Sequence, residues 1–336
     1  MYIDFEYLSK RWEKALQEKL FAYSERQESF WQRDYHTVEQ YLRSVQANRR
    51  IWRRLLLGPA RQEGFVFQTK AISKGCFLLN GSTLSGRKAQ ALLMLPDQPP
   101  PYPLVMCLHG MEGTPEMVLG FDHTLDGSYH GFGAKLVEAG YAVLSPALLN
   151  TFEKRNRLSR LALILGTTLW GLETEMLSQC LTYVLQTFSV DSSKLFMWGI
   201  SMGGAYTLYS MPLDLRIQAG IVSAWFNHRL KKMAVEDSRY SCFLPTAEEH
   251  AFIPALLSHF RDSDLISLIC PRQLQIQAGK KDDIHWMPFV QKEYCDAERI
   301  YEKLDYKERI ELRIHDGGHE VVIEDGLHFL STVFAV

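Results

Sequence analysis

Apolar residues in the first 57 positions recur at helical spacing, whereas from position 64 onward they gather in short runs broken by Gly, Ser and Pro. Phe5, Leu8, Trp12, Leu16 and Leu20 advance by three or four, which traces one face of a helix. A second helix is expected from Thr37, where Thr37-Val38-Glu39-Gln40 reads as a capping box with Gln40 reaching back. Its apolar side is Val38, Tyr41, Leu42, Val45, Trp52, Leu55 and Leu56. Neither Gly nor Pro interrupts this stretch until Gly58-Pro59 end it. Two amphipathic helices cannot bury their faces alone, so they are expected to pack on the rest of the chain or on a second copy. Arg49, Arg50, Arg53 and Arg54 read as a solvated helix face, with an anion-binding patch as the alternative.

Beyond Gly64 the runs 65–69, 76–79 and 91–95 are rich in strand formers, and 97–103 is a Pro-rich loop. Apolar strands then alternate with helical patterns. Strands are expected at 104–108, 142–145, 195–198, 219–223, 273–277 and 310–314, with helices at 133–139, 173–186, 205–209 and 293–304. Mainly apolar strands alternating with helices predict an α/β fold, a mostly parallel sheet covered on both faces. The expected organisation is an N-terminal helical extension, 1–60, followed by one domain, 61–336. Segments 148–172 and 225–260 carry Trp170, Trp225, Phe226 and Phe243 and are candidate caps over a site; the other reading is extra helices packed on the sheet.

The chemistry centres on Gly199-Ile200-Ser201-Met202-Gly203-Gly204, which follows one expected strand and precedes an expected helix. That is the setting of a nucleophile elbow, a turn so tight that its flanking positions must be small. Ser201 is thereby the candidate nucleophile, held at the carboxyl edge of the sheet beside a helix N-terminus. Its partners should follow in the order acid, then histidine. Among eleven histidines, His319 stands just past the last strand, after Gly317-Gly318, where a loop can fold back over the sheet edge. His315 is the rival base, at the strand end without that freedom. Asp282 follows Gly279-Lys280-Lys281 and is the expected acid; Asp283 is the alternative, or else the cap of the next helix. The loop His109-Gly110-Met111-Glu112-Gly113 after strand 104–108 can turn its amides into a cleft. The expected oxyanion donors are the N–H groups of Met111 and Met202. His109 is read as holding that loop. This chemistry requires no metal and no cofactor.

Charge and cysteine usage narrow the setting. With 37 Lys+Arg against 39 Asp+Glu, there is no basic surplus to suggest nucleic acid. The uncharged run 195–213 contains Gly199, Gly203, Gly204 and Pro212 and reads as strand, turn and helix rather than a membrane span. Six scattered cysteines form no CxxC pair. The first residues, Met1-Tyr2-Ile3-Asp4-Phe5-Glu6, lack the pattern of a signal peptide, so a cytoplasmic setting is expected.

Over roughly 64–336 these segments resemble the α/β-hydrolase superfamily, and within it the dienelactone-hydrolase and acetyl (xylan) esterase branch. The resemblance is carried by His109-Gly110, Gly199 to Gly204, Pro271-Arg272 leading to Gly279-Lys280-Lys281-Asp282, and Gly317-Gly318-His319-Glu320. It implies hydrolysis of a small-molecule carboxylic ester through Ser201, His319 and Asp282. Dienelactone hydrolases use a cysteine nucleophile, so the serine points to the esterase side. The alternatives are a peptidase of the prolyl-oligopeptidase kind, a C–C bond hydrolase or acyltransferase, and a catalytically inert scaffold. The first 57 residues match no part of this resemblance; they are expected to cover the domain's edge or to form a homodimer interface.

Overall fold

The structure is a computed structural model that describes residues 3–59 and 63–333. The expected division between residues 60 and 61 therefore falls outside the described residues.

Nine strands form one sheet among the described residues: β1 Val66–Ser73, β2 Cys76–Ser82, β3 Lys88–Met94, β4 Tyr102–Leu108, β5 Ala142–Pro146, β6 Val190–Ile200, β7 Ala219–Ser223, β8 Gln273–Gly279 and β9 Ile310–His315. Their order is β1-β2-β3-β5-β4-β6-β7-β8-β9. The first four in that order pair antiparallel, and every pairing from β5 to β9 is parallel. Strands β5 and β7 are buried along their whole length, as a sheet covered on both faces requires. Alternation along β4 separates the two cores. Leu104, Met106 and Leu108 face Trp52, Leu177, Leu181 and Tyr206, while Val105 and Cys107 face Phe132, Leu136, Phe329 and Leu330.

The N-terminal region forms three helices: Phe5–Phe30, Val38–Ser44 and Gln46–Leu57. The last two are separated at Val45, where a single expected helix breaks. Thr37 caps the second by accepting the Gln40 N–H at 3.1 Å, but the Gln40 side chain receives the Thr37 hydroxyl rather than the backbone amide of a full capping box. Tyr41, Val45, Trp52 and Leu56 are buried, and the Trp52 indole donates to the Tyr209 carbonyl at 3.0 Å. Arg49 departs from the solvated reading: it is buried and donates to the carbonyls of Pro212 (2.9 Å) and Leu268 (2.8 Å), while Arg50, Arg53 and Arg54 stay exposed. The first helix lies on the body through Gln17, which donates to the Ala234 carbonyl, and Phe21, which sits under Lys231. Its stripe of Phe5, Leu8, Trp12 and Leu16 is left exposed.

The two long inserted segments pack on each other. Helix Phe152–Ile164 reaches residues 247–250 through an Arg160–Glu249 ion pair at 2.6 Å and an Asn156 amide donating to the Ala247 carbonyl. Among the described residues no helix is long and apolar enough to cross a membrane.

Candidate active site

The carboxyl ends of β4, β6, β7, β8 and β9 lie along one edge because these strands are parallel, and the expected site residues leave from that edge. Ser201 follows β6 at φ 56° and ψ −122°, a strained region for any residue with a side chain. The strain is held from both sides: Ser201 N–H donates to the Ser223 carbonyl at 2.9 Å, and helix Met202–Ser210 starts at once. A Cβ on Gly199 would lie 2.0 Å from the Gly203 carbonyl oxygen, and one on Gly203 2.1 Å from that of Leu108. No larger residue fits at either position.

His319 reaches the edge from the loop after β9. Its Nδ1 lies 2.9 Å from Asp282 Oδ2. An ionised carboxylate only accepts, so Nδ1 carries a proton and donates it to Asp282, and Nε2 takes no part in that bond. Asp282 is buried, and its other oxygen accepts the Ile284 N–H at 3.1 Å. Burial alone would raise the Asp282 pKa; the His319 hydrogen bond and charge together with the Ile284 amide outweigh it and hold the carboxyl below its ordinary value. The two loops are zipped together by Lys280 N–H to His315 O and Lys281 N–H to Gly317 O. On the far side Glu320 accepts the Gly318 N–H and pairs with His130 at 2.8 Å. Asp283 caps no helix; its carbonyl accepts the Ser241 N–H, and the next helix, Met287–Glu302, starts after Trp286. His315 stays at the end of β9.

The loop after β4 is fixed by His109. The Gly110 carbonyl at 2.9 Å can only accept, so Nδ1 donates to it, and Nε2 accepts the Leu148 N–H at 3.0 Å. Burial pushes the His109 pKa down to about 4, so the ring is neutral and both nitrogens are engaged. The Gly110 N–H donates to the Tyr129 hydroxyl at 2.8 Å. The Met111 and Met202 N–H groups have no acceptor among the described residues. The fold thus brings His319 and Asp282 into contact and places two unengaged amides on the loops beside Ser201. It does not join Ser201 to His319: the serine hydroxyl has no partner among the described residues.

Several residues of the site carry no sequence signal. Tyr129 is one, since nothing in its neighbourhood announces a hydroxyl aimed at Gly110. Trp225, expected only as part of a candidate cap, stands closer: its Cβ lies 3.1 Å from where a Cβ on Gly204 would stand, against the elbow. Behind the loop, fully buried Arg155 donates to Glu173 (2.8 Å), Tyr206 (3.0 Å) and the Leu149 carbonyl, and Tyr206 also bonds Glu173. Lys232, buried, donates to Ser241 and to the Ile284 carbonyl at 2.7 Å, which ties segment 225–260 to the acid's loop. Burial lowers its pKa to about 8. Among the described residues no group of three His, Cys, Asp or Glu side chains gathers to hold a metal.

A mostly parallel sheet with a strained serine turn after one central strand and an Asp–His pair on the loops after two later strands is the α/β-hydrolase fold. Solved structures bear this out across 89–90% of the chain. A glucuronoyl esterase from Solibacter usitatus superposes with a TM-score of 0.67 at 13% identity, covering 89% of this chain and 94% of that one. A family 15 glucuronoyl esterase from Caldicellulosiruptor kristjansonii gives 0.64 at 18% identity, with 89% and 87% covered. An acetyl xylan esterase from Paenibacillus sp. R4 gives 0.57 at 14%, with 90% and 98% covered. In sequence, 196 residues are 25% identical to the Bacillus subtilis (strain 168) protein named "Putative hydrolase YtaP". That match spans 55% of this chain and 62% of the relative. No protein-family model matches the chain.

Proposed function

We propose that the chain is a serine hydrolase that cleaves a carboxylic ester of a small molecule. Ser201 is the nucleophile, His319 the general base and acid, Asp282 the residue that holds the imidazole, and the Met111 and Met202 N–H groups receive the oxyanion. The observation that carries this reading is the 2.9 Å His319–Asp282 bond at the sheet edge that also carries the strained serine turn. Fold neighbours named as acetyl xylan and glucuronoyl esterases support an ester as the bond attacked.

In the proposed reaction Ser201 Oγ attacks the ester carbonyl carbon as its proton passes to His319 Nε2. The carbonyl oxygen becomes an oxyanion between the two methionine amides. The tetrahedral adduct collapses, the C–O bond to the alcohol breaks, and His319 returns the proton to the leaving oxygen. Water then attacks the acyl-enzyme by the same route, releasing the acid and restoring Ser201. Asp282 stabilises the imidazolium formed in each step and fixes the tautomer.

Segments 148–172 and 225–260 act in this reading as a cap, a role supported by their bonds to one another and by the Lys232 tie to the acid's loop. Residues 1–60 form an extension of which helices Val38–Ser44 and Gln46–Leu57 cover the body, while the first helix pairs two copies, in keeping with the apolar stripe exposed on it. A cytoplasmic setting is supported by free cysteines, five of the six being buried.

Hydrolysis of short- and medium-chain p-nitrophenyl esters tests the activity. The wild type is expected to turn over, and Ser201→Ala to lose at least about 1000-fold in kcat/KM. Equal rates in the two proteins would overturn the reading.

A further inference from the structure

We infer that two copies of the chain pair through their first helices, antiparallel and centred near Lys14, with the stripe of each seated in an apolar groove of the other. The inference rests on the proposed pairing of two copies and adds the register and the receiving surface.

Over residues 5–12 the apolar stripe of helix Phe5–Phe30 does not face the chain's own body, and beyond them it only borders it. Phe5 is 75% exposed, Trp12 74% and Leu16 60%. The body is met by the other flank, at Gln17 and Phe21. A projecting amphipathic half-helix gains little from its own propensity and is stabilised chiefly when its apolar face is covered. Where the stripe ends, a groove of about 340 Å³ begins. Leu16 and Leu20 line it on the helix side, and Met233, Leu244, Phe252 and Leu256 line it on the cap segment. Leu244 and Phe252 are themselves partly exposed.

A two-fold axis at residue 14 sets Trp12 opposite Leu16, Leu8 opposite Leu20 and Phe5 opposite Tyr23. Every apolar stripe residue then meets an apolar one, and Phe5 and Leu8 of the partner copy fall at the groove. Lys19, which lies on the stripe between Leu16 and Tyr23, faces Ser9, and at the margin Glu13 faces Ala15, so no like charges oppose there. Lys14 itself, two positions from both Trp12 and Leu16, lies on the opposite side of the helix from the stripe. Such self-complementarity is what an isologous dimer requires. A membrane surface is the poorer occupant, because Glu6, Glu13 and Glu18 interleave with Lys10, Arg11, Lys14 and Lys19 and leave no strong cationic face.

The test is solution mass by light scattering across the micromolar range for the full chain, Leu8→Lys, Phe252→Glu and an equimolar mixture of the two variants. The full chain is expected at twice the mass of one chain. Each variant alone is expected as a single copy, its self-association weakened by at least about 100-fold. The mixture is expected to return to two copies, because one seat is intact and the other sets the introduced ammonium against the introduced carboxylate. Circular dichroism verifies folding, and if Phe252→Glu unfolds, Phe252→Ala replaces it in the single-variant measurement and the mixture is omitted. A Phe252 variant that stays paired overturns the groove and register while leaving the pairing itself standing. A mixture that stays single does the same. A full chain that is single throughout overturns both.

Discussion

At Ser201 the backbone is held where a residue with a side chain incurs strain of order 1–3 kcal/mol. A turn keeps such strain only when its surroundings enforce it, and Gly199 and Gly203 do so by leaving no room for any other path. That enforcement was legible in the sequence, since glycines flanking a serine between strand and helix mark a turn with no space for side chains. His319 was legible in a similar way, through Gly317 and Gly318. Tyr129 was not, because its hydroxyl meets Gly110 across 19 positions with no local pattern to mark it. Two predictions belong at this scale. Asp282→Asn should lower kcat by about 10,000-fold by releasing the imidazole tautomer, with thermal stability little changed; a loss under about tenfold, measured with the same esters, would remove Asp282 from the proposed triad. Glu293, buried beside the Ser263 amide, has its pKa raised to about 7, chiefly by burial and further by Asp262. Its folded pKa lies above its unfolded one, so its contribution to stability is whole below about 4.5 and is lost as pH rises through about 7. Melting curves should therefore show Glu293→Gln gaining stability relative to wild type across that window. A constant difference between the two would contradict it.

Among elements, the helices and strands follow from periodicity, but what joins them does not. The alternating run from residue 104 onward marks strands such as β4, β5 and β7 because buried strands are apolar almost throughout, whereas the polar start of β6, Asp191 to Lys194, carries no such mark. Arg49 shows the limit: one of four arginines on an exposed-looking face turns inward to two carbonyls that arrive from 163 and 219 positions away. The Arg155–Glu173–Tyr206 cluster is likewise invisible to periodicity, yet it anchors helix Phe152–Ile164 to the elbow's helix and to the segment bonded to His109. Arg155→Met should cost about 3–5 kcal/mol, since it strands a buried carboxylate. The expected drop in Tm is about 6 °C or more, partly recovered by Glu173→Gln in the same chain. An unchanged Tm would show that the cluster is not what holds this segment.

For the whole molecule, the class of sheet was legible and its order was not. Alternation reports that strands are covered on both faces, but it does not report that β5 inserts between β3 and β4, or that β1 to β3 extend the sheet antiparallel. Neither does it report which way the first helix turns its stripe, because that depends on surfaces about 200 or more positions away, such as Ala234 opposite Gln17. What the assembled molecule adds is convergence. Four loops from four strands bring a strained serine, an Asp–His pair and two unengaged amides to one edge. The most direct test of that convergence is labelling with an alkyl fluorophosphonate, followed by peptide mass spectrometry. The account predicts one adduct, on Ser201, formed far more slowly in Asp282→Asn and absent after His319→Ala. An unlabelled Ser201, or equal labelling in all three proteins, would contradict it.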